Sequence, residues 1–356
     1  MMLQFFTRNL IRWHNHNPRP LPWSDGSCDP YRIWLSEIIM QQTRIEQGTS
    51  YYLGFINKYP NVQGLASASI DDVLRMWEGL GYYTRARNMH KAAVYIARNL
   101  NGKFPDTYGS LLNLPGIGPY SAAAIASFAF NLPHVVVDGN VKRLVARFAG
   151  ITNSVDDPKT HKEIHHIASD FMKGSSPALF NQAIMNFGAL VCKPLPLCEI
   201  CPLSKRCYAI NHNMVSALPV RRKKQPLRAR YLHFLVLQHD DKILMCKREK
   251  KDIWNGLYSF PHVEKSSVRS PGSAQLFSAA VSLAGKNVLI EKGLPVVYTQ
   301  TLSHQTITGR FHAYRVTKRP RLVQSDSVWI PVSSLDRYGK PRMIVRYLED
   351  RLKFRQ

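Results

Sequence analysis

Two carboxylates and four thiols are the side chains in this sequence most able to do chemistry. Glu37 lies in RIWLSEIIM, where Ile33, Trp34, Leu35, Ile38, Ile39 and Met40 point in every direction around a helix predicted from Tyr31 to about Gln47. A carboxylate in that setting is costly to ionise, and its pKa should be raised. It is either an edge residue paired with a base such as Arg44 or a proton donor lining a pocket. Asp138, in VVVDGNVKRLVARFAG, has the opposite environment. It is placed to cap a helix running to about Phe148 with Gly150 near its end, where backbone amides and the positive helix end stabilise an anion. Capping alone would account for that aspartate. As a pair, a neutral acid and a fixed anion are what cleavage of a glycosidic bond through an oxocarbenium-like state requires.

Cys192, Cys198, Cys201 and Cys207 follow the last helical pattern with the spacing C-x5-C-x2-C-x5-C, while Cys28 and Cys246 stand alone. Thiolates so clustered suit a metal in a reducing compartment better than disulfides, and either Zn²⁺ or a [4Fe-4S] cluster fits the spacing. Lys and Arg number 48 against 24 acidic residues, a net charge of +24, which points to a polyanion, with nucleic acid ahead of an anionic membrane. No apolar run reaches membrane-spanning length and the basic, aromatic start lacks the features of a signal peptide, so an intracellular, DNA-associated protein is expected.

The elements that must position these groups follow from periodicity. Asp29 before Pro30 starts the helix carrying Glu37, and Gln41, Gln42 and Thr43 beyond it offer amide and hydroxyl groups for base edges. GLGYYTRARN joins two helical patterns between residues 64 and 100 and presents Tyr82 and Tyr83 beside Arg85 and Arg87, a combination that suits stacking on bases and holding phosphates. In LPGIGPY, Gly116 and Gly118 flank Ile117 in a turn whose backbone can approach a phosphate, or which merely connects two helices. Helical patterns run to about Leu190, making the first 210 or so residues an all-α unit. PVRRKKQPLRAR, residues 219–230, reads as an exposed basic linker. Beyond it, strand patterns at 231–238, 242–247, 296–302 and 307–316, with helices at 274–284 and 341–352, predict a second domain of α+β type.

With these motifs in place, the chain resembles the adenine DNA glycosylases of the MutY type, within the helix-hairpin-helix superfamily that includes endonuclease III. The matching stretches are LPW, DPYRIWLSEIIMQQTRIEQ, GLGYYTRARN, LPGIGPYSAAAIASFAF, VDGNVKR, FNQAIMNFGALVC, the cysteine cluster, WNGLYSFP and LSH. The resemblance implies a helical glycosylase region over 1–215, with the helix-hairpin-helix at 111–130 and an iron-sulfur loop at 192–207. A basic linker over 216–229 and a Nudix-like, MutT-like domain over 230–356 complete the expected organisation.

It also implies removal of adenine mispaired with 8-oxoguanine or guanine in duplex DNA, by a monomer. Glu37 would protonate adenine, Asp138 would stabilise the cationic sugar, and Tyr120 and Asn140 would assist. Tyr120 stands where bifunctional relatives carry a Schiff-base lysine, hence a monofunctional enzyme. Gln42, Thr43 and Tyr82 would enter the duplex and contact 8-oxoguanine, and the hairpin, Leu114, Gly116 and Gly118 included, would hold the DNA backbone. Ser303 and His304 match the recognition motif of the second domain, with Leu302 in place of a phenylalanine. The four cysteines would bind a [4Fe-4S] cluster. The acidic Nudix box is missing, so pyrophosphatase activity is not expected. Other departures are a first cysteine gap one residue shorter than usual, Ser24 where a basic residue is common, and Gln182 where some members have glutamate, to which no catalytic role is given.

Overall fold

The computed structural model describes residues 2–24, 26–223, 225–249, 252–265, 271–290, 294–318 and 327–352. Lys224 of the expected linker lies outside them. In chain order the helices are α1 (Met2–His16), α2 (Pro30–Met40), α3 (Ile45–Lys58), α4 (Val62–Ser67), α5 (Ile70–Met76), α6 (Thr84–Asn99), α7 (Tyr108–Leu112), α8 (Pro119–Phe130), α9 (Gly139–Ala149), α10 (Pro158–Met172), α11 (Pro177–Leu190), α12 (Tyr208–Asn211), α13 (Ser273–Ala284) and α14 (Arg342–Leu352). The chain forms two compact units, Met1–Ser67 with Lys91–Lys224, and Ala68–His90 with Gln225–Gln356.

The first unit is helical. One core gathers α1, α9, α10 and α11, with Phe6 stacked on Phe171 at 4.1 Å and edge-on to Phe148 at 4.8 Å. In α8, Ala122, Ala123, Ala124 and Ala126 are buried, small side chains on a helix that packs against α2. As expected, Ile33, Trp34, Leu35, Ile38 and Ile39 are buried around the α2 axis. The predicted continuation to Gln47 does not occur. The helix stops at Met40 because the chain turns at Gln41, where φ is −55° and ψ 111°, and Gln42 takes a positive φ of 56°. The turn is tied down by Gln41 Nε2, which donates to Ser121 Oγ at 3.0 Å.

The second unit is built on a mixed sheet of β1 (Arg228–His239), β2 (Lys242–Lys247), β3 (Tyr258–Ser259), β4 (His262–Lys265), β5 (Val288–Ile290), β6 (Val296–Thr301), β7 (Gln305–Val316) and β8 (Ser327–Pro331). Among the described residues, only β1 and β7 pair in parallel, in register from Arg228 with Gln305 to Gln238 with Arg315; the other pairings are antiparallel. The last residues of the expected linker, Arg228 to Arg230, are thus strand, because Gln305 to Ile307 give them backbone partners. Leu235 and Leu237 pack beneath Leu276 and Ala280 of α13, while on the other face Phe311 stacks on Tyr347 of α14 at 4.6 Å. The segment around α5 is fastened to this unit: Lys247 Nζ lies 2.9 Å from both Asp71 carboxylate oxygens, and buried Lys340 Nζ lies 3.3 Å from Glu78 Oε2.

Candidate active site

A cavity of about 1030 Å³ opens in the first unit and is lined from α2, the Gln41–Thr43 turn, the α7–α8 turn, the start of α9, and α11. Glu37 and Asp138, distant in sequence, both line it, with Tyr120 and Asn140. Glu37 is half-buried, and desolvation first, then the Asp138 charge, push its pKa up to about 7 against the opposing pull of a hydrogen bond from Tyr120. Burial and both carboxylates raise the Tyr120 hydroxyl well above its ordinary value, so it remains a donor. Of the two readings of Glu37, the structure supports the pocket over the helix edge.

Asp138 is the N-cap of α9, as its flanks predict. Its Oδ1 accepts from the Asn140 and Val141 amides at 2.9 and 2.7 Å, and its Oδ2 from Asn140 Nδ2 at 2.7 Å. Gly150 ends the helix in the left-handed region, at φ 75°. The cap is held from α11. A Cβ on Gly188 would stand 2.9 Å from the Asn140 carbonyl oxygen, so glycine permits this close approach. Asn181, wholly buried, accepts from the Val136 amide at 2.9 Å and donates to the His134 carbonyl at 2.9 Å and to Ser127 Oγ at 2.7 Å. Asn181 therefore fixes the extended approach to Asp138. Sequence reasoning missed it; amides set among the apolar residues of FNQAIMNFG were the available signal.

Gly116, with φ 79°, and Gly118 line the cavity, and a Cβ built on Gly118 meets open space. Leu114 is only 2% exposed, so contact with a ligand there falls to its backbone. Gln42 and Thr43 lie at the cavity; Tyr82, Ser303 and His304 belong to the second unit. Tyr82 is 43% exposed at a positive φ of 48°, with the Arg85 guanidinium 5.7 Å from its ring. Ser303 and His304 are exposed on the β6–β7 turn, Ser303 Oγ lying 3.2 Å from His304 Nδ1.

All four cysteines of the cluster line one small pocket beside α9 and α12, and the described residues of its walls include no acid or histidine. Arg147 directs Nη1 at Cys192 Sγ from 3.7 Å, and burial raises the Cys192 and Cys207 thiols and pushes Cys201 up to about 12. Among the described residues, no three His, Cys, Asp or Glu side chains close around a single metal ion. No helix is long and apolar enough to cross a membrane among the described residues.

Residues 35–171 match the model of the HhH-GPD superfamily base excision DNA repair protein, and residues 232–350 that of the NUDIX domain. Fold and site together define a helix-hairpin-helix glycosylase core joined to a Nudix-like domain. The chain is 35% identical over 263 residues to the adenine DNA glycosylase of Buchnera aphidicola subsp. Acyrthosiphon pisum (strain APS), spanning 73% of this chain and 75% of that protein. To the adenine DNA glycosylase of Mus musculus it is 39% identical over 231 residues, 61% of this chain and 44% of that one. The solved structure of a thermostable thymine-DNA glycosylase superposes with a TM-score of 0.55 at 27% identity, covering 59% of this chain and 97% of its own. The chain belongs to the adenine DNA glycosylase family.

Proposed function

We propose that the protein is a monofunctional glycosylase that hydrolyses the N-glycosidic bond of adenine mispaired with 8-oxoguanine or guanine in duplex DNA. One observation carries the reading: Glu37, held near pKa 7 and hydrogen-bonded to Tyr120, lines the same cavity as capped Asp138. The target adenosine is extruded into the cavity, where an unstacked base becomes accessible. Glu37 gives its proton to a ring nitrogen of adenine, and the bond from the sugar C1′ to the base breaks with its electron pair leaving on adenine. The Asp138 carboxylate stabilises the resulting sugar cation, its orientation set by the α9 amides and Asn140. Water then adds at C1′ and returns a proton to Glu37.

Lysine is not among the described residues that line the cavity, and Tyr120 cannot form an imine, which supports base removal without strand cleavage. Gln42, Thr43 and Tyr82, with Ser303 and His304, are assigned to 8-oxoguanine and the duplex. The hairpin at Leu114, Gly116 and Gly118 is assigned to the backbone. Cys192, Cys198, Cys201 and Cys207 are assigned to a [4Fe-4S] cluster, which the all-thiol, acid-free pocket and the nearby Arg147 guanidinium suit. When bound, that cluster supplies folding energy to the loop.

Single-turnover base release from duplexes carrying A:8-oxoguanine, A:G and A:T tests the reading. Adenine release from the first two and none from the third, with no borohydride-trapped adduct, is expected. Release of a pyrimidine, or a trapped adduct, contradicts it.

A further inference from the structure

Helix α11 presents Ala178, Leu179, Gln182, Met185, Asn186 and Ala189 to the cavity, the i, i+3, i+4, i+7 face of a helix. Gln182 and Asn186 are its two hydrogen-bonding side chains. Asn186 is 3% exposed, yet its Nδ2 has no hydrogen-bond partner among the described residues. A buried amide left in that state is destabilising, and it calls for a partner that the protein itself does not supply. A second orphan lies on the same wall: His14 of α1 also lines the cavity, and its buried Nδ1 is likewise unpaired. The two belong to one seam, since their chain neighbours Trp13 and Phe187 meet edge-on at 4.9 Å.

From this arrangement we infer that Asn186 is a specificity-determining residue whose amide N–H donates to an acceptor nitrogen of the extruded purine ring, with His14 completing the same polar wall. The inference rests on the adenine-release reading above. Glu37 and Asp138 are occupied by proton transfer and charge stabilisation. The Asn186 wall carries no charge to bury: its amide is neutral, and burial lowers the His14 pKa so that its imidazole is held neutral too. An amide donor matches N1, N3 or N7 of adenine, each of which accepts, N9 being committed to the glycosidic bond. An unmet donor rejects a base lacking the matching acceptor more strongly than apolar contact would.

The test pairs variants with substrate analogues in single-turnover base release. Asn186→Leu keeps the volume and removes the donor, and is expected to slow adenine release about tenfold, the scale of one buried hydrogen bond. Analogues in which N1, N3 or N7 of adenine is replaced singly by carbon are then compared. For one of the three, the wild-type advantage over Asn186→Leu should shrink to less than twofold, because the lost partner is already missing. His14→Phe should slow release on every substrate without changing which analogue shows this loss. Should Asn186→Leu match wild type on adenine, or lose equally on all substrates while melting with the same cooperativity, the inference is overturned, and Asn186 and His14 merely bind water. If the wild-type protein releases no adenine at all, the functional reading fails instead. Should Asn186→Leu not fold, Asn186→Asp, which keeps shape and replaces the donor by an acceptor, carries the comparison with the same expectations.

Discussion

Asn140 and Cys192 share one guanidinium. Arg143 Nη2 donates to Asn140 Oδ1 at 2.9 Å and Arg143 Nε to the Cys192 carbonyl at 2.7 Å, with a further bond of 2.7 Å from Nη2 to the Gly188 carbonyl. Asn140 in turn donates to Asp138, so the cap of α9 and the start of the cysteine loop are held by a continuous set of hydrogen bonds.

Replacing Arg143 by Gln should therefore disturb both ends. Two carbonyls and an amide oxygen lose a charged donor, a loss of roughly 3 kcal/mol by the usual scale of charge-assisted hydrogen bonds. A lower midpoint in thermal unfolding is expected, with slower base release and lower iron content. An unchanged midpoint and iron content would separate the cap from the loop.

Glu37 gives the activity a pH dependence whose sign is fixed. In the proposed mechanism Glu37 is the proton donor and must be protonated, so base release by the free enzyme should fall as pH rises through about 7. Tyr120→Phe removes the hydrogen bond that lowers this pKa and should move the falling limb to higher pH. Glu37→Gln should cost about 10² to 10⁴ in rate, the usual worth of a general acid. Linkage adds a stability effect. The folded-state pKa lies above the ordinary 4.5, so the folded protein retains a proton that the unfolded chain has released between about 4.5 and 7. Stability falls with rising pH across that window, and Glu37→Gln should flatten the fall in a denaturant titration.

Much of this site was legible in the chain. The apolar residues around Glu37 announced a buried carboxylate, and VVVDGN announced a cap, because both depend on local pattern. That the two face one cavity did not follow from pattern, since it depends on α2 and α8 packing against each other and on where the start of α9 lies. The turn at Gln41 and Gln42 falls inside the helix the pattern predicts, as no Gly or Pro marks it; a tertiary hydrogen bond to Ser121 secures it. Asn181 and Asn186 were passed over because an amide in an apolar helix gives no sign of what it meets. In the second unit the long strands and both helices were readable, whereas β3, β4, β5 and β8 were missed. Most of these are short, and they depend on their neighbours in the sheet for definition.

The Glu78–Lys340 pair gives a prediction for the second unit. Lys340 is 0% exposed, and its Nζ also donates to the Leu335 and Tyr338 carbonyls, at 2.6 and 2.5 Å. Glu78→Gln leaves a buried cation short of its counter-charge and should destabilise the protein by about 3 to 5 kcal/mol. Exchanging both partners for apolar residues of similar volume should recover most of the loss, and failure to recover would show that the carbonyl contacts dominate.

Cys198→Ser should lower iron and sulfide content in the isolated protein and reduce its thermal midpoint, since the loop from 192 to 207 loses one of the four thiols assigned to the proposed cluster. Full iron content in that variant would remove Cys198 from the ligand set.

The central claim is that Glu37 and Asp138 act on one glycosidic bond. Single-turnover release of adenine from an A:8-oxoguanine duplex, compared between wild type and Asp138→Asn at equal duplex occupancy, tests it most directly. The amide keeps the size of the side chain while losing the charge, and a fall of about 10² to 10³ in rate with binding retained is predicted. Wild-type release by Asp138→Asn would contradict the account.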